Sequence, residues 1–147
     1  MRNTKHGYTT YVSNIADNVE AVRVRIAAAC ERAGRDATEV QFVAVSKKFT
    51  PDIIREAADA GLILFGENRI QEAKIKIPDC PGHLRWHYIG NLQTNKCRDT
   101  VALFEMVHAV DSLRLAEELN KRCEQAAKVM PVLLEVNVSG EGSKHGF

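Results

Sequence analysis

Apolar, β-branched runs alternate with amphipathic stretches along this chain at intervals of about twenty residues, and no other feature narrows the fold as much. The runs predicted as strands are residues 40–46, 62–65, 84–89, 106–110 and 132–138. Between them the spacing predicts helices from Pro51 to a stop at Gly61, and over 68–77, 93–104 and 112–128. Thr50-Pro51-Asp52 is a start signal: a hydroxyl able to cap, a proline whose missing N–H is not needed in the first turn, and an acid at the positive end of the dipole. An additional helix is predicted over 14–33, where Ile15, Val19, Val22, Ile26 and Ala29-Cys30 recur at steps of four and three before Gly34. Strand-helix alternation means a parallel sheet with right-handed crossovers, either an open doubly wound sheet or a (β/α)8 barrel. Ser46-Lys47-Lys48-Phe49 stands where a glycine-rich dinucleotide turn would follow the first strand, which tips the choice toward the barrel.

The 147 residues are one domain's worth, and 45% hydrophobic with 27% charged is ordinary for a globular domain. A net charge of +1, with both signs interspersed, offers no basic field for nucleic acid. No apolar run approaches the roughly 18 residues of a membrane span. The first ten residues are polar and lack the apolar stretch of a signal peptide, so a cytoplasmic protein with a small-molecule partner is expected. Cys30, Cys80, Cys97 and Cys123 show no paired spacing and are expected as reduced thiols. Cys80, His83, His87 and Cys97 are zinc-ligand types, but their spacing lacks a metal-finger hairpin, and no metal site is expected.

In either architecture ligands sit at the carboxyl ends of the strands. Polar residues gather there: Ser46-Lys47, Gly66-Glu67-Asn68, His87 to Asn91, Asp111, and Asn137 to Ser139. Polar loops explain most of them. Lys47 is different, because strand alternation puts it on the face of Val45, Val43 and Gln41, aimed over a barrel's interior. A lysine so placed either snorkels to water, the commoner outcome, or is partly desolvated with a lowered pKa, which makes it a nucleophilic amine. Lys48, on the alternate face, is expected to be solvated.

Several ordered blocks carry a resemblance: Val43-Ala44-Val45-Ser46-Lys47; Phe65-Gly66-Glu67-Asn68 with Gln71-Glu72; Trp86-His87-Tyr88-Ile89-Gly90 with Leu92-Gln93 and Asn95-Lys96; Val110-Asp111-Ser112; and Ser139-Gly140-Glu141 with Ser143-Lys144-His145-Gly146. Together they resemble the pyridoxal phosphate homeostasis proteins over nearly all of residues 40–147. The resemblance implies a single-domain barrel, similar to the amino-terminal domain of alanine racemase, that binds pyridoxal 5'-phosphate (PLP) as an aldimine on the lysine ending the first strand, here Lys47. It further implies Asn68 beside the cofactor, His87 and Gly90 on the pocket wall, and Lys144 as a second lysine near the mouth. The implied role is vitamin B6 cofactor homeostasis in the cytoplasm by a monomeric, non-catalytic carrier that serves apo PLP enzymes.

Departures from the family pattern are Lys48-Phe49, where Thr-Lys or similar is usual, and Arg69, where tyrosine is common. Whole family members continue through three more strand-helix units that supply the phosphate site. Residues 1–147 are therefore expected to be one incomplete barrel domain of about five units, cut from a longer protein, with two bare edges, an uncovered apolar face and weak PLP binding. The alternative function is a PLP-dependent racemase-like enzyme. Racemisation needs a second base, which related racemases take as a tyrosine from another domain; Tyr88, inside the third strand, is expected to pack instead. A third reading, an interaction module using the helix at 112–128, meets an ordinary charged surface there.

Overall fold

The computed structural model describes residues 14–142 and 145–147. They fall into two compact units that divide between Val40 and Gln41.

The first unit is built on helix α1 (Ile15–Ala33). Asn14 Oδ1 accepts a hydrogen bond from the Ala16 amide at 2.9 Å, satisfying a donor that the first turn leaves free. Gly34 ends the helix in the left-handed region at φ 63, with Gly34 N–H donating to Glu31 O and Arg35 N–H to Cys30 O. A short 3-10 turn, Ala37–Glu39, follows behind its own Asp36 cap.

The second unit is an open parallel sheet whose strands follow in chain order: β1 (Ala44–Val45), β2 (Leu64–Glu67), β3 (Arg85–Tyr88), β4 (Met106–Val110) and β5 (Val132–Leu134). Helices α2 (Pro51–Asp59), α3 (Ile70–Lys76), α4 (Cys97–Leu103) and α5 (Leu113–Gln125) connect them. In a sheet with strands in sequential order, right-handed crossovers place every connecting helix on one face. That face holds the core. Phe65 and Trp86, paired in register, stack their rings at 5.4 Å, and Tyr88 meets Phe104 edge-on at 5.3 Å. Phe65, Phe104, Ile54, Leu115, Val107 and Val110 are each at most 2% exposed.

Strand alternation then puts Val45, Gly66 and His87 on the opposite face, in one register row. Gly66 belongs there for a steric reason: a Cβ on it would lie 2.9 Å from Ile89 Cδ1 and 3.1 Å from Val43 Cγ1. A register shift between Val107 and Val110 against β5 marks a bulge in β4. The extra residue explains how Val107 and Val110, three apart, are both fully buried, while His108 turns toward the row of His87.

Several elements are shorter than the sequence predicts. The run 40–46 pairs only at Ala44–Val45, and 132–138 only at Val132–Leu134. These are the two edge strands, each paired on one side alone among the described residues, and all of β5 is exposed. Val45 is 47% and Leu134 62% exposed, as the expectation of two bare edges implies. Pro51 opens α2 at the position predicted, although the Thr50 side chain makes no cap; its carbonyl accepts the Ile54 amide at 3.2 Å. The 93–104 stretch begins as a 3-10 turn, Thr94–Lys96, and the 68–77 stretch becomes α-helical only at Ile70.

Candidate functional site

The chain leaves β1 through a tight turn in which the Phe49 amide donates to Ser46 O at 3.1 Å. Lys47 and Lys48 are its two central residues, and Lys48 sits at φ 68, the positive angle that a type II turn demands of its third residue. Lysine reaches that region only at a steric cost, so other contacts must hold it there. Lys47 is exposed, at the carboxyl end of β1 just beyond the row Val45–Gly66–His87.

What fixes the turn is a buried polar network. Ser46 is 4% exposed; its amide donates to Gly66 O at 3.0 Å and its hydroxyl to Glu67 Oε1 at 2.7 Å. Glu67, the last residue of β2, is fully buried, and Lys76, at the end of α3, is 5% exposed. Lys76 Nζ donates to three oxygens: Ser46 O at 2.9 Å, Glu67 Oε1 at 2.8 Å and Glu72 Oε1 at 2.7 Å. Those three bonds use every proton of the ammonium. Glu72 Oε1 in turn accepts the Lys48 amide at 2.7 Å. Glu67 Oε2 has no hydrogen-bond partner among the described residues.

The electrostatics follow the geometry. Burial works to lower the Lys76 pKa, but its hydrogen bonds to Glu67 and Glu72 outweigh that and leave it raised. The Lys76 ammonium, and then the Lys48 amide, hold the Glu72 carboxyl below its usual value. Both groups therefore stay charged at neutral pH.

A second cluster lies one strand over. His87 Nδ1 and His108 Nε2 are 2.9 Å apart, so one carries a proton and the other accepts it. His87 is 3% exposed. Burial, and then the neighbouring His108, push the His87 pKa down; burial does the same to His108.

Asn68 follows Glu67 off the end of β2. Its carbonyl accepts from Tyr88 Oη at 3.2 Å, and Tyr88 Oη also reaches Asn91 O at 3.0 Å. The buried Tyr88 phenol, its pKa raised by burial, thus serves packing and backbone anchoring as expected. Gly90 presses on Asn68: a Cβ there would stand 2.8 Å from Asn68 O and 2.9 Å from Asn68 Cβ. Arg69 is the N-cap of α3.

The structure thus brings Lys47, Asn68, His87 and Gly90 to neighbouring strands at one end of the sheet, while Lys144 lies outside the described residues. Glu67 and Glu72 stand in the sequence only as members of larger blocks, and Lys76 and His108 carry no expectation there. Two signals existed: the Glu72–Lys76 spacing of four, and a lone acid ending a buried strand. Among the described residues no group of three or more His, Cys, Asp or Glu side chains could hold a metal ion. All four cysteines are free; Cys97 is fully buried, with its thiol pushed up to about 11 by burial. No described helix is long and apolar enough to cross a membrane.

No family model matches the chain. The pyridoxal phosphate homeostasis protein of Pseudomonas aeruginosa is 44% identical over 138 residues, which take in 92% of this chain and 59% of that protein. Its counterpart in Aquifex aeolicus is 40% identical over 134 residues, 90% of this chain and 59% of that protein. Among solved structures, PipY of Synechococcus elongatus with PLP bound matches with a TM-score of 0.74 and 36% identity, over 86% of this chain and 56% of PipY. The chain spans about three-fifths of the length of the curated relatives it matches.

Proposed function

We propose that, over the residues it shares with them, the chain is a member of the pyridoxal phosphate homeostasis proteins, binds PLP through Lys47 and acts in PLP homeostasis. The observation that carries the reading is the exposed Lys47 amine, on a turn pinned from both sides, at the carboxyl end of a parallel strand.

The residues fit the aldehyde end of the cofactor. When bound, PLP supplies an aldehyde carbon that accepts a primary amine. Lys47 would hold the cofactor at that carbon, its primary amine in the neutral form being the nucleophile such a carbon takes. Asn68 brings an amide that can hydrogen-bond a ring oxygen without adding charge. His87 contributes a buried imidazole whose lowered pKa keeps it neutral near pH 7, and Gly90 lets the backbone close on Asn68. Lys144 is proposed as the second lysine near the mouth, on the family resemblance alone.

The five sequential parallel strands with helices on one face support placing them as the first part of a (β/α)8 barrel; that residues 1–147 belong to one domain is proposed on the family resemblance alone. The four unpaired cysteines support a reducing compartment, the cytoplasm. The protein is proposed to be a monomer that buffers PLP and passes it to apo PLP enzymes, without turnover of its own.

The test is incubation with PLP, borohydride reduction and mass-spectrometric mapping of the modified lysine. Modification at Lys47 is expected; dominant modification at Lys48 or Lys144 overturns the assignment. Interconversion of D- and L-alanine at a robust rate with added PLP would overturn the carrier reading in favour of a racemase-like enzyme.

A further inference from the structure

Lys47 and Lys48 are adjacent and both exposed, so chemistry alone gives a small aldehyde little reason to choose between them. The backbone supplies the reason. The carbonyl on one side of Lys47 belongs to Ser46 and accepts Lys76 Nζ at 2.9 Å; the amide on the other side belongs to Lys48 and donates to Glu72 Oε1 at 2.7 Å. Lys76 joins the two anchors by bonding Glu72 as well, and Glu67 fixes Lys76 from the end of β2.

We infer that Lys76, held by Glu67 and Glu72, is a positioning device that locks the Ser46–Phe49 turn and thereby makes Lys47, not Lys48, the amine presented to the cofactor. The inference rests on Lys47 as the cofactor lysine. A solvent-exposed turn needs no buried ammonium, because water can satisfy its carbonyl and amide. Burying charges is seldom a net gain for stability, and fixing one geometry against near alternatives is their best-attested use. Here the alternative is specific: freed of Glu72, Lys48 has no contact holding its amide at positive φ, and the turn no longer fixes which of the two lysines is presented.

Glu72 is the place to test this, since its side chain is 27% exposed and its removal leaves Lys76 with Ser46 O and Glu67. Wild type, Glu72→Ala and Glu72→Gln are treated with PLP and borohydride, and in parallel with an acetylating reagent, and the Lys47 to Lys48 modification ratio is read by peptide mapping. Exposed Lys121 on α5 serves as the internal standard. Glu72→Ala is expected to lower the ratio about tenfold, as loss of a charge-assisted hydrogen bond predicts. Glu72→Gln, whose amide oxygen still accepts, is expected to restore most of it. An unchanged ratio in Glu72→Ala with both reagents, or equal loss in both variants, overturns the inference. Wild type that PLP does not modify at Lys47 refutes the cofactor assignment instead, and the acetylation ratio still decides the positioning role.

Discussion

Lys76→Met is the substitution that weighs the buried network most directly. Methionine approximates the volume of the lysine stem but donates no hydrogen bond, so three bonds vanish together: those to Ser46 O, Glu67 Oε1 and Glu72 Oε1. Glu72 is partly exposed and rehydrates. Glu67, fully buried, keeps only the Ser46 hydroxyl as donor. An uncompensated buried charge of this kind destabilises by about 3–5 kcal/mol, and at this chain length that lowers the melting temperature by on the order of 10 °C. Adding Glu67→Gln to the same chain removes the stranded charge and should recover roughly half of the loss. Urea unfolding followed by circular dichroism measures both, provided the slope against denaturant stays constant. A loss below about 1 kcal/mol in the single variant, or no recovery in the double one, would show that Glu67 and Lys76 are not a coupled buried pair. The pH dependence has a definite sign. The Lys76 pKa is raised, so its contribution is present below the unfolded value of 10.5 and is lost as pH rises through the folded one. The Glu72 pKa is lowered, so its contribution is present above 4.5 and is lost as pH falls toward the folded value.

The His87–His108 pair, both with pKa values lowered from 6.5, stabilises the fold above that value and loses its contribution as pH falls below it, because the unfolded chain takes up protons first. Melting temperature recorded from about pH 7.5 down to about 5.5 should fall in the wild type and flatten in His87→Phe; identical slopes would dismiss the pair as the source. Gly90→Ala should destabilise by about 1–3 kcal/mol in urea titration, since the new Cβ meets backbone that cannot swing aside, and a neutral result would contradict the close approach to Asn68. Lys48→Gly should raise the unfolding free energy from urea titration by up to about 1 kcal/mol, as glycine adopts φ 68 without strain, and a clear loss would mean that the side chain supports the turn.

The order of elements was legible in the chain because it rests on local rules: the helical steps before Gly34, the Pro51 start and the β-branched runs at 106–110 all act through near neighbours. The blocks around Lys47, Asn68, His87 and Gly90 were legible too, and the fold sets them at one end of adjacent strands. Strand lengths at the edges were not, since pairing depends on a neighbour that sequence patterning does not reveal; the apolar run 132–138 reads as one strand and pairs over three residues, all exposed. The network around the turn was hidden for the same reason. Lys76 reads along α3 as one more solvated lysine, and only the register of β1 on β2 brings Ser46, Glu67 and Lys76, separated by 21, 9 and 30 positions, into mutual hydrogen-bonding distance. His108 reads as an ordinary strand residue until the bulge in β4 turns it toward His87. The sequence by itself determined the order of strands and helices and that a lysine follows the first strand, because propensity, capping and periodicity are local. The tertiary structure alone decided what holds that lysine in place, because buried charges meet their partners only when distant segments pack.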